Sequence, residues 1–149
     1  MELHTLTLAE LAAGLAAKRF SSREIIDSLL GRIVKANDKL HAFTEVYATE
    51  AKAIADAADT ARASGFPLGP LHGLPVAYKD LCDIAGKVGT GGSKMFETRV
   101  ATETSNTVER LTAAGDLGGA GEANAARSAG HNGRPIPEQV RLHTCLANP

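Results

Sequence analysis

The stretch Gly69-Pro70-Leu71-His72-Gly73-Leu74-Pro75-Val76-Ala77-Tyr78-Lys79-Asp80 decides how the chain is read. Pro67, Gly69, Pro70, Gly73 and Pro75 exclude a helix from this region and favour a tightly turned loop entering an extended segment. Leu74 to Tyr78 is a short, nearly continuous apolar run, the pattern of a strand covered on both faces, and it ends at the charged pair Lys79 and Asp80. Gly86, Gly89, Gly91 and Gly92 follow as a flexible loop. A lysine at the end of a buried strand sits where desolvation can leave a neutral amine able to act as a general base, although most lysines at strand ends simply reach solvent.

Upstream the signals are helical. Thr7 precedes Glu10, and Ser21 precedes Glu24, by the three residues of a capping box. Leu8, Leu11, Ala12 and Leu15 form one apolar face; Ile25, Ile26, Leu29, Leu30, Ile33 and Val34 form another, so two packed helices are expected. Ala51 to Ala63 is a third helix, ended by Gly65 in a left-handed conformation. A fourth is capped by Asn106 or Thr104, runs through Val108 and Leu111, and stops at Gly115. Beyond Gly115 the large aliphatics thin to Leu117, Ile136, Val140, Leu142 and Leu146, and no aromatic residue follows Phe96, so a disordered tail is expected.

The whole-chain figures narrow the function classes. With 149 residues, 44% hydrophobic and 22% charged, there is material for one ordinary core. Sixteen Lys and Arg against seventeen Asp and Glu leave a net charge of -1, so charge indicates neither a nucleic acid nor an acidic membrane as partner. No apolar run nears the roughly 20 residues of a membrane helix, and Met1-Glu2-Leu3-His4 has no secretory character, which predicts a cytoplasmic protein. Cys82 and Cys145 match neither a disulfide framework nor a metal site and suit a reducing compartment.

The quoted stretch, with Asp83-Ile84-Ala85-Gly86 and Thr90-Gly91-Gly92-Ser93, closely resembles the amidase signature family, and the resemblance extends over roughly Leu6 to Gly115. It implies an α/β fold, here the N-terminal portion with helices packed on a mixed sheet, and the division 1-115 amidase part, 116-149 tail outside the family. It implies hydrolysis of carbon-nitrogen amide bonds by a Ser-cisSer-Lys triad without metal or organic cofactor, with a small amide as substrate. Lys79 carries over as the base, and Gly92 and Ser93 as weaker site-supporting candidates. The family's Gly-Gly-Ser-Ser-Gly-Gly-Ser segment, which supplies both serines, does not occur in this sequence, so the chain alone is expected to be inactive. Two other readings stay open: a glutaminase resembling the glutamine-hydrolysing subunit of glutamyl-tRNA(Gln) amidotransferase, and a non-catalytic helical module that docks on a partner.

Other residues lean towards structural roles. Ser128 lacks the surroundings of a nucleophile elbow. Asp80 and Asp83 could orient the lysine or simply shape the turn. His72 reads as structural, Cys82 as a small apolar filler, and Gly89 to Lys94 misses phosphate-loop spacing. Where the family usually continues Ala-Ile-Leu-x-Gly-Lys, a buried strand, this chain has Gly115-Asp116-Leu117-Gly118-Gly119. Loss of one GC dinucleotide from a run coding for Gly-Ala-Ile-Leu-Ala-Gly would produce that order, so an out-of-frame tail on a truncated enzyme is expected. The strand ending at Tyr78 would then lack sheet neighbours, and the isolated chain would be unstable.

Overall fold

The computed structural model describes residues 2–65, 68–115 and 141–144, the last four by backbone alone. Helix α1 spans Leu8–Ala16, α2 Ser22–Leu40, α3 Ala48–Ala63 and α4 Asn106–Ala114; strands β1, β2 and β3 are Glu45–Val46, Val76–Lys79 and Arg141–Thr144.

Both expected capping boxes form. The Glu10 carboxylate accepts from the Thr7 N–H at 2.7 Å while Thr7 Oγ1 accepts from the Glu10 N–H at 3.3 Å, and Ser21 and Glu24 repeat the arrangement at the start of α2. The Asp59 carboxylate, reaching over from α3, accepts from the N–H groups of Ser22 and Arg23 at 2.8 and 3.0 Å, so it too satisfies free donors of the first turn of α2. At the other end His41 adopts φ 46, and the Asn37 side chain holds both the N–H and the C=O of Phe43, turning the chain towards β1.

Helix α2 is the hub of the helical layer because it is apolar on two adjoining rows. Ile26, Leu30 and Ile33 pack on Ala51 and Ala55 of α3, whose small side chains permit close approach. Ile25 packs instead with Leu3, Leu11, Leu15, Phe20 and Leu74. The stripe is narrower than its sequence suggests: Val34 and, on α1, Leu8 are exposed. The third helix starts earlier than expected, at Ala48, and Gly65 beyond its end has the expected positive φ of 76.

The fourth helix departs from expectation at both ends. Its cap is Ser105, not Asn106 or Thr104, and the Ser105 side chain makes no capping bond; Thr104 Oγ1 accepts instead from the Ala85 N–H at 3.1 Å. Gly115 ends it with φ -101, outside the left-handed region, its N–H shared between the Leu111 and Thr112 carbonyls.

The sheet is mixed, in the order β1-β3-β2, with β3 antiparallel to β1 and parallel to β2. Tyr78 pairs with His143 and Lys79 with Thr144. Within the tail expected to be disordered, the described residues are these four, and they supply β2 with a neighbour on one side. The rest of that tail, with Ser128 and Cys145, lies outside the described residues. No helix among the described residues is long and apolar enough to cross a membrane.

The joint between the helical layer and β2 is tight. Gly73 has φ 75, and a Cβ placed on it would lie 2.1 Å from Ser22 Oγ. Gly73→Ala therefore combines a disfavoured backbone with an overlap against a buried helix start, and it should cost about 2–4 kcal/mol, read as a lower urea midpoint. Acid should also loosen this layer. The Asp27 carboxyl is held below its ordinary value, first by Lys52 and then by Arg23. A carboxyl lowered in the native state stabilises at pH above its unfolded value, and that stabilisation is lost as pH falls through the native value. The pair is partly exposed, so urea melts at pH 7 of wild type and Lys52→Met should differ by less than about 1 kcal/mol, a difference that vanishes near pH 2.

Candidate active site

Lys79 closes β2, and the pleat decides what surrounds it. Val76 and Tyr78 point to one side, where Tyr78 packs on Ile84 and Val108 and is 4% exposed. Ala77 and Lys79 point to the other side and are exposed. This corrects the expectation of a strand covered on both faces: among the described residues only one face of β2 is covered. The expected strand Leu74 to Tyr78 is likewise shifted, to Val76–Lys79, because Leu74 belongs to the turn and inserts into the core beside Leu15 and Ile25.

Immediately after Lys79 the chain reverses, the Cys82 N–H donating to the Lys79 carbonyl at 2.8 Å. Asp80 is 3% exposed, and its carboxylate is the centre of the loop that follows. It accepts from the Thr90 N–H at 2.9 Å, from the Thr90 hydroxyl and from the Gly92 N–H at 3.4 Å, while its own carbonyl accepts from the Gly91 N–H at 3.2 Å. A buried carboxylate is tolerated only when donors replace its lost water, and here the glycine-rich turn supplies them. The two consecutive positive φ values, 58 at Gly91 and 73 at Gly92, let successive N–H groups turn inwards.

Gly92 is thus tied to the residue adjoining Lys79, while Ser93 is held one step further out, its N–H donating to the Thr90 carbonyl at 3.0 Å. The Gly92 N–H is also shared with Thr90 Oγ1 at 3.1 Å, and the Ser93 hydroxyl accepts from the Met95 N–H at 3.3 Å, capping the short turn Lys94–Phe96. Both positions therefore hold the loop in shape.

Asp83 forms a two-pronged pair with Arg99, Nη1 to Oδ2 at 2.9 Å and Nη2 to Oδ1 at 2.5 Å, and the same guanidinium donates through Nε to the Gly89 carbonyl at 3.1 Å. Asp83 raises the Arg99 pKa above its ordinary value. The Asp83 carbonyl also accepts from the Ser105 N–H at 2.9 Å, which fixes the start of α4. The two carboxylates shape loops, the turn-forming role that sequence left open. In the sequence Thr90 stands out only as the start of the Thr90-Gly91-Gly92-Ser93 stretch, and Arg99 carries no recognisable signal of its own.

His72 is buried, with Nε2 donating to the Ala58 carbonyl at 2.9 Å, and its own carbonyl accepts from Arg62. It ties α3 to the turn before β2, which is the structural role expected. Cys82 is a free, half-buried thiol packed against Tyr78, Ile84 and Val108, again as expected. Among the described residues no group of three or more His, Cys, Asp or Glu is placed to hold a metal.

The sequence pattern of the Amidase family matches residues 24–126, more than half of the chain. The chain belongs to the amidase signature family. This amidase-family chain is 47% identical over 115 residues to a glutamyl-tRNA(Gln) amidotransferase subunit of Chromohalobacter salexigens, covering 77% of this chain and 24% of that protein. It spans about a quarter of the length of the curated relatives it matches. Among solved structures, the peptide amidase of Stenotrophomonas maltophilia superposes with a TM-score of 0.68 at 28% identity, covering 76% of this chain and 23% of the other. Fatty acid amide hydrolase superposes with a TM-score of 0.70 over 95% of this chain and 21% of its own, and its 20% identity bears on fold alone.

Because the Asp80 carboxylate gathers the loop's donors, Asp80→Ala should strand them and cost about 2–3 kcal/mol. Amide exchange read residue by residue should then accelerate at Thr90 and Gly92 but not in α1; unchanged exchange at both would show that the glycines hold the loop unaided.

Proposed function

We propose that this chain is the front part, residues 1–115, of an amidase-type hydrolase of carbon-nitrogen bonds, followed by a tail from 116 that does not contribute to catalysis and arises from a shifted reading frame. The family match runs to residue 126 and so overlaps the first part of that tail. The single observation that carries the reading is the motif ending in Lys79 at the tip of β2, beside a glycine-rich loop clasped by Asp80.

Lys79 is assigned as the base of a Ser-cisSer-Lys relay. Its amine takes the proton of a bridging serine, which takes that of the nucleophilic serine. The nucleophile's oxygen then bonds to the amide carbon, the C–N bond breaks, and the proton passes to the leaving nitrogen. Water resolves the acyl-enzyme. No metal or organic cofactor takes part. Gly92 and Ser93 support the site by fixing the loop next to Lys79. The segment carrying the two serines does not occur in this sequence, so the 149-residue chain is inactive by itself.

The substrate class is a small amide, and the setting is the cytoplasm. The Chromohalobacter relative favours a finer version, glutamine hydrolysis that delivers ammonia within an amidotransferase. Nothing comparable favours the non-catalytic module.

Ammonia release from glutamine and from simple aliphatic and aryl amides tests the assignment. The purified chain should release none above background. A longer polypeptide that adds the serine pair should be active, and Lys79→Ala in it should lose about 10²–10⁴-fold. Turnover by the 149-residue chain itself, or an active longer form indifferent to Lys79→Ala, would sink it. Sequencing the DNA past the codon for Gly115 tests the frame: an amidase-like continuation with the serine-rich glycine loop must appear in another frame.

A further inference from the structure

Residues 86–101 fold back on themselves as an arm. The Gly86 N–H donates to the Ala101 carbonyl at 2.8 Å, the Ala101 N–H to the Lys87 carbonyl at 2.9 Å and the Gly89 N–H to the Arg99 carbonyl at 3.1 Å, while Val88 bridges Val100 in the antiparallel sense. From Gly91 to Val100 every residue except Ser93 is exposed, so the outer part of the arm gains little from apolar burial. Asp80 holds Thr90 and Gly92, and Asp83 holds Arg99, but both aspartates lie just before the arm in the same loop. A further contact crosses to the helical layer. Lys87, at the base of the arm, places Nζ 2.5 Å from Oε1 of Glu50 in the first turn of α3, 37 positions away in sequence, and 4.3 Å from the centre of the Tyr47 ring just before that helix. The Lys87 side chain is 16% exposed, so the carboxylate and the ring replace most of the water around its ammonium.

We propose that Lys87 is a latch that seats the arm on the helical layer, and that residues 86–101 open and close as one unit whose closed state that latch stabilises. A segment with few buried side chains opens locally at a lower free energy than the core. One opening event breaks all of the arm's internal hydrogen bonds, so a contact that holds the closed state slows exchange at each of them by a common factor. Lys87 is suited to this because its side chain grips the α3 end while its own carbonyl accepts a bond of the arm's seam, which passes the grip directly to the backbone pairing. Thr90 to Gly92, the turn clasped by Asp80, lies within the arm, so whatever seats the arm also places that turn beside the end of β2. The inference stands on these contacts and goes beyond the amidase reading, whose success or failure does not alter it.

Amide exchange of the full 149-residue chain, resolved by residue, reads the latch. In Lys87→Met, which keeps an apolar stem and removes the charge, the amides of Gly86, Gly89 and Ala101 should exchange about 3–10-fold faster by one common factor, with α1 and α2 unchanged. Glu50→Gln should produce part of that acceleration, and adding it to Lys87→Met should change almost nothing. Arg19→Met removes a cation lying over a different ring, that of Phe20, and should leave the arm as it was. Unchanged exchange in Lys87→Met would overturn the proposal, as would acceleration confined to one seam amide or spread equally through α1 and α2. An equal effect of Arg19→Met, or full additivity of the Glu50 and Lys87 substitutions, would overturn it too. So would seam amides that lack protection in the wild type, since there would then be no closed arm for Lys87 to hold.

Discussion

The buried carboxylate of Asp80 is the constraint on which the region around Lys79 depends. It gathers two backbone donors and a hydroxyl from a loop ten or more residues ahead, and so closes residues 80–92 into a ring at the tip of β2. Other contacts in the unit are weaker in kind. The Asp83–Arg99 pair is partly open to water, where solvent screens an ion pair, and it trims the loop more than it holds it. The Gly86 N–H donates to the Ala101 carbonyl at 2.8 Å and the Ala101 N–H to the Lys87 carbonyl at 2.9 Å, which gives the unit a second seam. Lys87 then binds it to the helical layer, pairing with Glu50 at 2.5 Å and lying 4.3 Å from the centre of the Tyr47 ring.

On the helical side the equivalent constraint is steric. Gly73 can approach the first turn of α2 only because it has no Cβ, and that approach sets the distance between the helices and β2. His72, one residue earlier, adds a hydrogen bond to α3 at Ala58. The motif Leu71-His72-Gly73-Leu74 is therefore a packing device before it is anything else: Leu74 enters the core, His72 ties down α3, and Gly73 admits Ser22.

What the sequence made legible was local. The capping boxes at Thr7 and Ser21 are fixed by residues three apart, and both form. The end of α3 before Gly65 is local too. The burial of β2 was not legible, because an apolar run reads the same whether one face is covered or both, and coverage comes from residues distant in sequence. For the same reason Thr90 and Arg99 were invisible as partners of Asp80 and Asp83, although the aspartates themselves could be picked out. The pairing of β2 with Arg141–Thr144 had no signal either, since that segment offers one large aliphatic, Leu142, and no alternation to mark it as a central strand.

The exposure of Lys79 bears directly on the role proposed for it. An amine serves as a base near neutral pH only when its charged form is disfavoured, and burial is the usual means. The described residues cover Tyr78 and leave Lys79 exposed, so they do not themselves supply the low-dielectric surroundings that the proposed base chemistry would need. If Lys79 is the base proposed above, its enclosure has to come from residues other than those described, and the exposed end of β2 marks where they would pack.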